Sequence, residues 1–381
     1  MSRSRELLHT LVGFDTTSRE SNLHLIEFVR DYLAGFGVSC ELVHNEERSK
    51  ANLFASIGPS ERPGIVLSGH TDVVPVDGQP WTTPPFELTE HDGKLFGRGT
   101  ADMKGYIACV LALVPTLVQT PLRIPVHIAL SYDEEVGCLG VRSLLSVLEQ
   151  RPVKPMLCII GEPTELKPVL GHKGKLAMRC DVHGEACHSA YAPYGVNAIE
   201  HAAELIGELG RLGRQLRERQ DPRFDPPFST VQTGVIAGGK ALNIVPADCR
   251  FDFEIRALPS QDPGEVAEAL QTYAMQHVLP RMKAVSAQSA IRFTELSAYP
   301  GLVTDERSQA AELIAAFSGS REFGTVAFGT EGGLFDAVGI PTVVCGPGSM
   351  DQGHKPDEFV SVTQLAGCDA MLLRMLDSIR V

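Results

Sequence analysis

The chain has 381 residues, 43% of them hydrophobic and 21% charged, and a formal net charge of −13. This is the composition of a globular protein, with room for one large domain or two ordinary ones, and it excludes a disordered chain. The acidic balance disfavours nucleic acid and anionic membranes, so no partner of either kind is expected.

The opening segment, MSRSRELLHTLVGFDTTS, reads as an amphipathic helix with Leu7, Leu8, Leu11 and Val12 on one side. It lacks the apolar core and cleavage site of a signal peptide, and a cytoplasmic location is expected. A second helix is predicted over 23–36, closed by Gly37, then strands over 39–43, 52–57 and 65–68. The run YIACVLALVPTLV (106–118) is too short to span a bilayer and contains Pro115, which predicts a buried helix. A strand over 126–131, a helix over 139–149 and a strand over 156–160 continue an alternation typical of an α/β sheet covered by helices.

The pattern changes near Gly171. A strand over 175–183, a long helix over 197–219, a proline-rich loop at 221–228, strands over 230–236 and 248–257 and a helix near 263–278 form a compact α+β unit of roughly a hundred residues. After about Met282 the first pattern resumes, with a helix over 308–317, a strand over 342–344 and a helix over 362–379. The expected fold is α/β and two-domain: a central mixed sheet built by 1–171 and 283–381, with an α+β domain of 172–282 inserted. The 9 cysteines include no CxxC spacing and several lie in apolar runs, so reduced, buried thiols are expected.

Ionisable residues collect at the ends of the apolar strands. IVLSGHTDVVP (65–75) ends in His70 and Asp72, which share one side of a strand. An imidazole beside a carboxylate orients a metal-binding histidine, or is simply a satisfied hydrogen bond. In GRGTADMKG (97–105), Asp102 precedes a helix start; the segment fits neither phosphate-binding glycine motif, and an N-capping aspartate remains open. LSYDEEVG (130–137) places Asp133, Glu134 and Glu135 directly after a strand, where like charges repel unless solvated or neutralised by a cation. CIIGEPT (158–164) supplies Glu162, and GPGSMDQGHKPDEFV (346–360) supplies His354. Five oxygen and imidazole ligands without thiolates suit two hard or borderline divalent ions, such as zinc, cobalt or manganese, sharing a bridging carboxylate.

These motifs, in this order, resemble the M20 metallopeptidase/deacylase family over nearly the whole chain. The resemblance rests on SGHTDVVP, GRGTADMKG, DEEVG, IIGEPT, GHKGKL, HGEACHSA, GVNAIE, GGKALNIVPADC, EIRALP and GPGSMDQGHKPDEFV. It implies that His70 and Glu162 bind one ion and Glu135 and His354 the other, bridged by Asp102. Asp72 would orient His70, Glu134 would be the general base, and the Asp102–Met103 peptide would be cis. The inserted domain would be a lid that carries a homodimer contact. From it His188 would steady the oxyanion, and Asn243 and Arg256 would hold a substrate carboxylate. Read without the family, these three are equally a surface histidine, a turn residue and a strand-surface charge.

Within the family, the segments WTTPPFELTEHDGKLFGRGTADMKG and GPGS…HKPDE are most similar to the acetylornithine deacetylases. That implies hydrolysis of N2-acetyl-L-ornithine, a step of arginine biosynthesis. The alternatives are another N-acyl amino acid (a desuccinylase, aminoacylase or dipeptidase activity) and a non-catalytic relative. No arginine stands where a succinyl group would need one. Glu331, in GTEGGLFDA (329–337), is either an exposed loop acid or the partner of a substrate ammonium.

Overall fold

A computed structural model describes residues 2–381, which divide into two compact units. The larger comprises the chain up to Gly171 together with Leu302–Thr325 and Thr330–Val381; the smaller comprises His172–Gly301 and Val326–Gly329.

The larger unit is built on a mixed sheet. Its strands run in the spatial order Cys40–His44, Ala51–Ile57, Val126–Ser131, Ile65–His70, Leu157–Pro163, Thr342–Gly346, Val169–His172 and Leu302–Val303, with Gly324–Val326 also paired to Val169–His172. Ile65–His70 lies parallel to both Val126–Ser131 and Leu157–Pro163, and Thr342–Gly346 lies parallel to Leu157–Pro163. Ile65–His70 and Leu157–Pro163 are buried along their whole length, which explains their unbroken apolar runs. Parallel strands also bring their carboxyl ends to one edge, and the loops that follow them meet there.

The apolar run that contains Pro115 is the helix Lys104–Gln119, buried on almost every side and packed against the helices Arg3–Val12 and Val362–Ile379. Its Tyr106 ring lies directly on Gly161; a β-carbon there would come within 2.0 Å of the ring, so only glycine permits this approach. Among the described residues, no helix is long and apolar enough to cross a membrane. Where the chain first leaves this unit and first rejoins it, Thr304 N, just past the strand Leu302–Val303, donates to Leu170 O of the neighbouring strand at 2.7 Å.

The smaller unit has an antiparallel sheet in the order Thr230–Gly238, Asp248–Ala257, Gly174–His183, Ala290–Tyr299. Gly174–His183 and Asp248–Ala257 alternate buried with more exposed residues, as strands covered by helices on one face do. The helix Ala198–Leu216 starts at Asn197, whose side chain accepts the N–H groups of Ile199 and Glu200. The helix Pro263–Tyr273 runs into a π-helical turn, Ala274–Val278. The continuous stretch of the unit runs to Gly301, beyond the expected 282, because Ala290–Tyr299 pairs along Gly174–His183.

Candidate active site and metal centre

Five side chains from five separate segments meet at the carboxyl edge of the large sheet. His70 ends one strand, Glu162 lies in another, and Glu135, Asp102 and His354 come from loops. They form two groups whose ligand atoms all lie within 4.8 Å of one another: His70, Asp102 and Glu162 in one, and Asp102, Glu135 and His354 in the other. Asp102 belongs to both. Its Oδ1 lies 2.9 Å from His70 Nε2, and its Oδ2 lies 3.3 Å from His354 Nε2. Glu162 Oε1 is 3.5 Å from His70 Nε2, and Glu135 Oε2 is 3.0 Å from His354 Nε2. The Asp102–Met103 peptide is cis.

The electrostatics of this cluster are those of acids crowded together out of water. Burial pushes the Glu162 carboxyl well above its ordinary range, and the neighbouring Asp102 charge adds to it. Burial and Asp102 push Glu135 up to about 7. Burial opposes ionisation of Asp102 too, but hydrogen bonds from His354 and His70 prevail and hold it well below the usual range. Those same carboxylates raise His354 to about 10, through Asp102 and then Glu135. Buried carboxylates that otherwise require protons or imidazolium partners suit divalent cations, whose charge would replace those protons. Glu135 Oε1 is buried without a hydrogen-bond partner among the described residues, an oxygen left for a ligand the protein does not supply. The donor set fits the expected cations.

The surrounding contacts hold this arrangement. His70 Nδ1 donates to the backbone oxygen of Asp72 at 2.9 Å, which leaves Nε2, the atom facing Asp102 and Glu162, free to bind a metal. The Asp72 carboxylate is farther from that ring, at 3.6 Å. It accepts instead from Glu134 N at 3.1 Å, Glu135 N at 3.3 Å and the Ser18 hydroxyl at 2.7 Å. Asp72 thus orients His70 with its backbone and fixes the two neighbouring glutamates with its side chain. Lys50 Nζ meets Asp133 at 2.5 Å, which separates that third acid from the cluster. Glu134 belongs to neither ligand group; burial raises its carboxyl well above the ordinary range, His70 opposes this, and Glu135 and Asp102 reinforce it.

Of the remaining expected residues, His188, Asn243 and Arg256 belong to the smaller unit and Glu331 to the larger. His188 and Asn243 lie in the smaller unit, exposed and side by side: His188 bridges to Ile244, and Ser189 N donates to Asn243 O at 3.0 Å. Arg256 is engaged within its own unit, donating to the Tyr299 hydroxyl at 2.8 Å and to Glu254 at 3.3 Å. Glu331 is not an exposed loop acid. It is 1% exposed, beside Ser131, and burial raises its carboxyl to about 7. Sequence reasoning passed over Ser18, Lys50, Arg98 and Glu358. Arg98 and Glu358 form a fully buried ion pair of 2.7 Å beside Asp102, from positions far apart in the chain.

Comparison with known proteins places this arrangement. The model of peptidase family M20/M25/M40 matches residues 66–378, and the chain belongs to that family. It is a metal-dependent hydrolase of linear amides. Among curated proteins it is 38% identical to the acetylornithine deacetylase of Myxococcus xanthus, over 97% of this chain and 96% of the relative. It is 36% identical to that of Pasteurella multocida, over 92% and 90%. Among solved structures it resembles the M20 family metallo-carboxypeptidase Sso-CP2 of Sulfolobus solfataricus, with a TM-score of 0.79 at 19% identity over 99% of each chain. It also resembles a dinuclear metal-binding M20 peptidase of Bacillus subtilis, with a TM-score of 0.64 at 14% identity over 98% and 96%.

Proposed function

We propose that the enzyme hydrolyses N2-acetyl-L-ornithine to L-ornithine and acetate, using two divalent cations, zinc in the first instance with cobalt or manganese as substitutes. The observation that carries the reading is the pair of ligand groups sharing Asp102, with an unligated carboxyl, Glu134, beside them. The substrate follows the activity for which the relatives are named, at 36% to 38% identity over most of both chains.

His70 and Glu162 would hold one cation, Glu135 and His354 the other, and Asp102 both. Cations held there would supply Lewis acidity, polarising an amide carbonyl and lowering the pKa of a water from 15.7 to about 7. Glu134 takes the proton from the attacking water and returns it to the departing amine. Its raised proton affinity suits both halves of that task. Asp72 keeps Glu134 in place through the backbone N–H of that residue. His188 donates to the developing oxyanion, and Asn243 and Arg256 hold the substrate carboxylate. A homodimer formed through the smaller unit is part of the proposal. Its support is the edge strand Thr230–Gly238, which exposes Val235 and Ile236.

The test is purification without chelator, metal analysis, and hydrolysis of N2-acetylornithine beside succinyl-diaminopimelate and a set of N-acetyl amino acids, with and without EDTA. Two cations per chain and EDTA-sensitive release of ornithine as the fastest reaction are expected. Faster cleavage of another acyl amino acid would overturn the substrate, and metal-independent turnover would overturn the mechanism.

A further inference from the structure

The geometry points to Arg98 and Glu358 as a brace that fixes Asp102 and His354 relative to each other, so that cation affinity depends on residues that touch no cation. The inference rests on the two-cation reading above.

Asp102 and His354 come from segments more than two hundred residues apart, yet both must address one ion. The fold offers His354 little support of its own: its ring is half exposed, and its backbone has a φ of 63°. Glu358, four residues on, lies 1% exposed against the segment that ends at Asp102. Its Oε1 accepts from Ala101 N at 2.9 Å and from Asp102 N at 3.0 Å. Its Oε2 accepts from Gly99 N at 3.0 Å and from Arg98 Nη1 at 2.7 Å. An ionised carboxylate has roughly four lone-pair sites, so this one is saturated. The donors all come from the Asp102 segment, which is therefore wrapped around a side chain of the His354 segment. Gly97 N adds a bond to Glu358 O at 2.9 Å.

Arg98 closes the circuit from the other side. Its Nη1 also reaches Lys355 O at 3.3 Å, and its Nη2 donates to Gln79 Oε1 at 2.7 Å. Gln79 Nε2 then donates to the backbone oxygen of His354 at 3.0 Å. Trp81 Nε1 holds the same Gln79 oxygen at 2.9 Å, and the guanidinium stands 5.0 Å from the Trp81 ring centre. Both segments are thus tied by one fork-shaped cation, and lysine cannot bond in those directions at once. Because Asp102 serves both ligand groups, loosening its segment disturbs both cations; loosening only the Gln79 tie disturbs the one that His354 serves.

The experiment strips the full-length protein with a chelator, records its thermal melt, and titrates Co2+ by calorimetry and visible absorbance. Wild type is expected to take two equivalents. Gln79→Ala should melt as wild type does, bind the first equivalent within about threefold of wild type, and bind the second about tenfold more weakly, the scale of outer-shell changes in metal sites. Glu358→Gln, which sets an amide N–H against existing donors, should weaken both equivalents about tenfold or more. Arg98→Lys, whose single ammonium can keep the Glu358 contact but not reach Gln79 as well, should follow Gln79→Ala. Wild-type affinities for both equivalents in folded Gln79→Ala and Glu358→Gln would overturn the brace, as would equal weakening of both in Gln79→Ala. Fewer than two equivalents in the wild type would overturn the two-cation reading itself, and the brace with it.

Discussion

Glu134 and Glu135 are adjacent in sequence and differ in what they meet. Glu135 Oε2 faces His354 at 3.0 Å, whereas Glu134 Oε1 accepts the Cys138 thiol at 3.4 Å and stands outside both ligand groups. Glu134→Gln keeps the shape and removes the proton acceptor. The expected result is a fall in kcat of about 10²–10⁴-fold with metal content unchanged. Turnover near wild type would remove Glu134 from the chemistry, and loss of a cation would make it a ligand. The strand ends showed where such residues lie, because an apolar run that stops at a charged group is visible in one sequence. Their division of labour came from the family resemblance and not from the residues themselves. Whether the side chain or the backbone of Asp72 meets His70 depends on distances of 3.6 and 2.9 Å, which no spacing encodes. Glu358 was silent for a similar reason: one acid in a polar loop gives no periodic signal, and its donors lie at the other end of the chain.

Among the elements, the strand Thr230–Gly238 is the exposed edge of the smaller unit's sheet, with Val235 and Ile236 each 53% accessible. Unpaired edges that carry apolar side chains invite another strand or surface. If the edge joins two copies, Ile236→Asp buries a charge in that contact, and sedimentation at micromolar concentration should show the monomer mass where wild type shows twice it. An unchanged dimer would place the contact elsewhere. Most elements were readable from periodicity; Asp248–Ala257 and Val362–Ile379 occur over the residues expected. The strand Ala290–Tyr299 was missed, and the structure supplies the reason. A register shift between Glu295 and Ser297 changes the phase of its alternation, so its burial follows no single period of two.

Over the whole molecule, buried titratable groups outside the cation cluster set a response to acid. Burial lowers His172 to about 4, and burial, then the charge of Arg151, lowers His127 to about 4. Each is neutral when folded and takes a proton near pH 6.5 when unfolded. The stability that each contributes is therefore full above about pH 6.5 and is lost as pH falls towards 4, at up to about 1.4 kcal/mol per unit. Glu135 and Glu331, raised to about 7, act in the opposite sense in metal-free protein, so the total slope mixes both. The comparison that isolates one histidine is urea unfolding of His172→Gln beside wild type. The gap between the two curves should shift in the variant's favour from pH 6.5 to 4.5. A gap that is constant across that range would show that His172 titrates alike in both states.

The bond between Thr304 N and Leu170 O has a consequence for how this architecture diversifies. It joins the point where the chain first departs from the larger unit to the point where it first comes back, at adjacent strands of a single sheet. Everything between them hangs from a closed doorway, so its length and sequence can drift while the frame stays shut. All five candidate ligands lie on the frame's side of that doorway. Selection can thus rewrite the residues proposed to judge a substrate without touching those that would hold the cations, and one chemistry can be handed from one acyl amino acid to another.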